Sequence, residues 1–227
     1  MSRLRRRIAA GGPERGFTLA ELLVYCALLA IVLPLAGSLL LGAVIAQRDV
    51  QAVNTATASV QAVAASVESG VRNASAIRAT AFGDPEDVDP SQLLVVRTRG
   101  TDASPRWFCQ AWYYDAFAGT VRTRRVAAEK VGSPIVRPAA ATTPGWTELA
   151  SGVTAAKWRG PGPAPAPVPV FEVTPTATPT TVRIGLEIGA GERPPVVLIG
   201  ARERPPVALS TSITKRPQGE TASTPCF

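Results

Sequence analysis

Leu22–Gln47 is an uncharged stretch of 26 residues, and that length constrains what the chain can become. As an α-helix rising 1.5 Å per residue it measures about 39 Å, more than the roughly 30 Å of a bilayer's hydrocarbon core. The run therefore predicts a helix that crosses a membrane with some tilt. Residues 1–16 carry Arg3, Arg5, Arg6, Arg7 and Arg15 against Glu14 alone. A basic cluster on that side holds the N-terminal end in the cytoplasm, so the chain beyond Gln47 is expected on the exported side.

Glu21 sits at the edge of this span. A charged side chain at the centre of a bilayer costs roughly 2.5–3.5 kcal/mol, so a carboxylate held beside an apolar segment is expected to have a partner. Its attraction to the N-terminal end of the helix dipole, about 0.3–1 kcal/mol, is too small to account for it. A secretory signal would place a small-residue cleavage site after an apolar core of 7 to 15 residues. Here the small residue, Gly16, comes before the apolar run, and a cut there leaves the hydrophobic helix on the mature chain. A lipoprotein signal ending at Cys26 fits poorly, because bulky Tyr25 precedes the cysteine and the apolar run continues past it.

Gly16-Phe17-Thr18-Leu19-Ala20-Glu21, with a basic leader before it and about 25 apolar residues behind it, resembles the N-terminus of type IV pilins and type II secretion pseudopilins. The resemblance implies cleavage between Gly16 and Phe17 by a prepilin peptidase, with N-methylation of Phe17. It also implies that Glu21 pairs with the Phe17 amine of a neighbouring subunit during filament assembly. Other pilin or pseudopilin subunits, an assembly platform protein and its ATPase are the expected partners, together with membrane lipid. Later segments, Tyr113-Tyr114-Asp115 with Thr120–Arg125 and Leu209–Arg216, look similar to larger minor pilins of the W type or pseudopilins of the J type. A cytoplasmic N-terminus and an exported C-terminal domain, later carried into a filament, follow from the same likeness.

The formal charge of +7 suggests an anionic partner such as DNA until processing is considered. The leader holds five arginines and one glutamate, so its removal leaves 19 basic and 16 acidic residues, a balance of +3. DNA is therefore only a weak expectation, kept alive by Arg122, Arg124 and Arg125, which read as a solvated strand edge. Histidine is absent, which removes Ser-His and Cys-His nucleophile pairs and histidine metal sites. No cofactor, metal or enzymatic activity is expected. Asp84, Glu86, Asp87 and Asp89 have oxygen ligands suited to calcium but lack the full loop pattern, and a solvated turn is the favoured reading.

The expected fold is α+β: a long N-terminal helix, membrane anchor plus stalk, packed on a C-terminal antiparallel β-sheet domain. Val53, Val60, Val67 and Ala74, with Ala56, Val63, Gly70 and Ile77, form a narrow apolar stripe at seven-residue spacing, which predicts helix to about Thr80. Its small residues favour packing on a sheet over a coiled-coil seam. The chain then divides into a leader (1–16), a transmembrane half-helix (17–47), an amphipathic half-helix (48–81) and a β-rich domain (82–227). Pro34 is expected to favour a kink.

Strands are expected at Leu93–Thr98, Trp107–Tyr114, Thr120–Val126, Thr181–Ile188, Val196–Ile199 and Val207–Thr214. Asp115–Gly119 suits a hairpin with Gly119 in a special conformation. Residues 161–179, rich in proline, read as an extended loop or edge segment. Trp107, Trp112, Tyr113 and Tyr114 are assigned mostly to a sheet–helix interface, and Cys26 to apolar filler. Cys109 and Cys226 lie on the exported side, where either a disulfide or two free thiols is compatible with the sequence.

Overall fold

A computed structural model describes residues 18–82, 90–100, 106–140, 143–156, 168–189, 206–217 and 226–227. The fold is α+β, an apolar helix at the N-terminal side followed by two antiparallel sheets. Helix α1 covers Leu19–Arg72 and runs through Pro34 without a break. Contacts group the chain into two compact units, Met1–Asp49 and Val50–Phe227.

In the first unit α1 is solvent-facing along its length, and its most apolar 18-residue window has no buried residue. Leu22, Leu23, Leu33, Leu39 and Leu40 are all exposed. A helix that is apolar all round, with nothing packed on it among the described residues, is consistent with a lipid environment.

In the second unit the strands are β1 (Ala74–Ala81), β2 (Gln92–Arg99), β3 (Trp107–Asp115), β4 (Thr120–Ala127), β5 (Thr147–Ser151), β6 (Val153–Ala155), β7 (Phe171–Thr174), β8 (Thr181–Ile188) and β9 (Val207–Thr214). The first sheet has the order β1-β2-β3-β4-β5, each pair antiparallel. The second is built on β8, with β9 along one edge and β6 and β7 end to end along the other. The chain changes sheet at Gly152, whose φ of +66° a residue with a Cβ would strain to adopt.

One core joins the helix to both sheets. Ala56, Val60, Val63, Val67 and Val71 of α1 meet Leu94, Trp112 and Tyr114 of the first sheet and Val182, Ile184 and Leu186 of the second. Fully burying a Val, Leu or Ile side chain stabilises by about 1.5–3 kcal/mol, so this stripe holds the helix to the sheets. The Gln92 side-chain oxygen accepts a hydrogen bond from Phe171 N at 2.8 Å, tying β2 to β7 across the two sheets.

The other face of the first sheet has its own cluster. Leu93, Val95, Ala111 and Tyr113 lie beneath Ala128, Ile135 and Cys226. Phe82 and Trp146 meet the Tyr113 ring edge-on, with centroids 6.2 and 6.3 Å away.

Several expectations need correction. The helix ends at Arg72, and residues 74–81, expected as its last turns, form β1. A bulge between Ala74 and Ala76 puts Ala74 and Ile77 on the same buried side, so a strand reproduces the three-residue spacing of a helix. Within the proline-rich stretch Phe171–Thr174 takes the expected edge-segment form, pairing with β8 at the sheet's edge, and Thr174–Pro175 is a cis peptide. Of the four aromatics, Trp112 and Tyr114 face the helix, while Trp107 and Tyr113 belong to the opposite face. Arg122 is buried at 5% exposure, so it does not lie on a solvated edge. The expected strand at Val196–Ile199, the acidic run 84–89 and residues 161–167 of the proline-rich stretch fall outside the described residues.

Candidate processing and assembly site

Gly16 and Phe17 fall outside the described residues, and the structure takes up the site at Thr18. There the helix begins. The first N–H groups of a helix have no intrahelical acceptor, and side chains at the start of the helix can supply one. The Glu21 N–H donates to Thr18 Oγ1 at 3.3 Å and to the Thr18 carbonyl at 3.0 Å, while the Leu22 N–H donates to that carbonyl at 3.1 Å. Thr18 is thus the N-cap of α1.

This geometry fixes Glu21 in the first helical turn, four residues after Phe17 in sequence. Its residue is exposed, and its carboxylate has no ion-pair partner among the described residues. Thr18 was legible as well: its spacing from Glu21 is that of a capping box, Thr-x-x-Glu, which a charge-based reading of Glu21 passes over.

Cys109 and Cys226 are joined in a disulfide with Cα atoms 5.5 Å apart, spanning 117 residues. Both sulfurs are buried, and the Cys226 carbonyl accepts a hydrogen bond from Ile135 N at 3.4 Å. Cys26 is a free cysteine on the exposed part of α1. Among the described residues no group of three or more side chains of metal-binding type comes together.

Elsewhere, Trp112 keys the helix to the first sheet. It is fully buried, its Nε1–H donates to Ser66 Oγ at 2.9 Å, and its ring lies against Gly70. Burial pushes the Tyr114 phenol above its ordinary pKa of 10.0; a backbone hydrogen bond at Ala155 opposes the shift and the Asp115 carboxylate adds to it.

Residues 13–33 match the family model for the prokaryotic N-terminal methylation motif. That segment spans the glycine, the aromatic residue, Glu21 and the start of the apolar run, and it supports the likeness to type IV pilins and pseudopilins. The match also supports a pilin-like substrate of a prepilin peptidase, and with the apolar helix it is consistent with a membrane-anchored protein. No curated protein and no solved structure matches the chain.

Proposed function

We propose that the chain is a structural minor pilin or pseudopilin, without enzymatic activity, built into a type IV pilus or a type II secretion-like filament and taking part in starting its assembly. The observation that carries this reading is the methylation motif at residues 13–33 running directly into a capped helix with an exposed apolar surface. Cleavage after Gly16 removes a leader that carries more than half of the net positive charge and creates an amine on Phe17. Methylation leaves that amine cationic. Glu21, four residues further on and without an ion-pair partner among the described residues, then supplies the complementary charge for the amine of a neighbouring subunit.

In a low-dielectric surrounding such a pair is far stronger than in water, so the contact favours the packed array over the isolated anchor. The apolar half of α1 supplies the surface for packing and the second unit remains outside. Two sheets with proline-interrupted connections suit a minor position better than an abundant repeating one.

The test is filament incorporation of Glu21→Ala and Glu21→Gln alongside the native chain, quantified by immunoblot of sheared filaments. The expected result is cleaved, membrane-resident protein that is absent from filaments. Normal incorporation of both variants would remove Glu21 from the mechanism.

A further inference from the structure

The end of the second unit at which α1 finishes gathers positive charge that the core does not use. Arg216 N donates to the Arg72 carbonyl at 3.1 Å, Arg99 N to the Asn73 carbonyl at 3.2 Å, and Lys215 Nζ to the Ser75 carbonyl at 3.2 Å. The close of α1, the start of β1, the end of β2 and the end of β9 therefore meet in one place. Gly100 N donates to the Arg106 carbonyl at 2.8 Å, adding the start of β3 to the same end.

Arg99, Arg106, Arg125 and Arg216 are exposed there and have no ion pair among the described residues. Arg72 is paired with Glu68 one turn back, and Glu129 and Lys130 in the adjoining turn offset one another. Like charges gathered at one end of a unit repel, and no opposite charge offsets these four among the described residues. Cations near a helix C-terminus gain from its dipole within the last turn, which accounts for Arg72 but not for residues on three strands.

Two features select the kind of anion. The Arg97 and Arg125 guanidinium carbons lie 4.6 and 4.2 Å above the Trp107 and Phe108 rings. Stacking occupies those ring faces, which a nucleic-acid base would otherwise use, and the exposed Arg125 presents N–H edges that fit carboxylates. Beside the cluster is a cavity of about 320 Å³ lined by Glu68, Arg72, Thr211–Thr214 and Arg216. Its β9 wall belongs to an edge strand, Val207–Thr214, with neither charge nor proline to protect it, and its outer edge carries no strand among the described residues. An unprotected edge accepts a strand from another polypeptide.

We propose that this basic end is a docking surface for an extended acidic segment of a partner polypeptide, laid along β9 with its carboxylates against Arg99 and Arg216. Backbone hydrogen bonds to β9 supply affinity, and the arginines supply selectivity and attraction at a distance. The proposal is independent of the filament reading, since it concerns only the second unit.

The mature full-length protein in a neutral detergent is titrated into a fluorescein-labelled alternating Glu-Val octapeptide and followed by anisotropy. An alternating Lys-Val octapeptide and an oligothymidylate of the same charge as the Glu-Val peptide serve as competing probes. Binding of the Glu-Val peptide, weakened by salt and by about tenfold or more in Arg99→Glu with Arg216→Glu, is the expected result. Arg78→Glu, on an exposed site in the middle of β1, changes it by less than about twofold. Unchanged near-ultraviolet circular dichroism of the double variant shows that the fold survives. Tighter binding of the oligothymidylate, equal binding of the Lys-Val peptide, indifference to the arginine reversals, or no peptide binding each overturns the proposal.

Discussion

Gly70 and Trp112 show how a single absent side chain holds α1 on its sheet. A glycine inside a helix costs up to about 1 kcal/mol relative to alanine, yet a Cβ at Gly70 would strike the outer edge of the Trp112 ring and come 3.3 Å from Gln110 Oε1. Gly70→Val is expected to overpack the contact by about 1–3 kcal/mol and lower the thermal midpoint followed by near-ultraviolet circular dichroism. Gly132→Ala, whose Cβ would meet nothing within 4 Å, should leave the midpoint close to native. Tyr114 makes a second prediction. With its phenol pushed above 10.0, the folded chain retains a proton that the unfolded chain has lost once pH passes the ordinary value. Stability from this group is complete below about pH 10 and falls as pH rises through the raised value. The alkaline drop in thermal midpoint should be shallower in Tyr114→Phe; an identical drop in both proteins would show that Tyr114 does not contribute. The methylation motif around Glu21 was legible in sequence because charge and apolar length act locally. The contact of Gly70 with Trp112 was not, since it joins residues 42 positions apart through the fold.

Among the elements, those set by local pattern were legible and those set by pairing were not. β8 and β9 lie where alternation and β-branched residues place them, at Thr181–Ile188 and Val207–Thr214. β1 was hidden because its bulge spaces Ala74 and Ile77 as a helix would, and only pairing with β2 decides between the two. β5, β6 and β7 are three to five residues long and take their strand character from neighbours distant in sequence, as Phe171 does from Ile184. The disulfide acts at this scale too. It pins the segment with Cys226 over the outer face of the first sheet, closing a loop of 117 residues in a core that also holds Leu93, Val95 and Tyr113. Chain entropy alone assigns such a closure about 4.7 kcal/mol, with typical measured values of about 2–4. Cys226→Ser is therefore expected to lower the thermal midpoint by several degrees and to abolish the mass change that reductant followed by thiol alkylation produces at this pair. A midpoint unchanged from native would show that the tail adds nothing to the fold.

For the whole molecule, the two units follow different physical rules. The first is apolar on every side of α1 and has no buried interior among the described residues, which suits a bilayer. The second has a core of ordinary type, with valines of α1 interleaved between two sheets. The end of the uncharged run at Gln47 is read from hydropathy, and contacts divide the chain into units after Asp49. The arrangement of the second unit is not, because two sheets sharing one helix depend on long-range pairing such as that of Gln92 with Phe171. The basic end formed where α1, β2 and β9 finish belongs to this level as well, since its arginines are scattered along the chain and only the fold collects them. In the proposed function the leader is a processing signal and not part of the working protein. Intact-mass and N-terminal peptide analysis of the protein purified from cells that contain a prepilin peptidase tests it most directly. The account predicts a chain beginning at N-methylated Phe17, with residues 1–16 absent; a chain that keeps Met1–Gly16, or one cut after the apolar run, would contradict it.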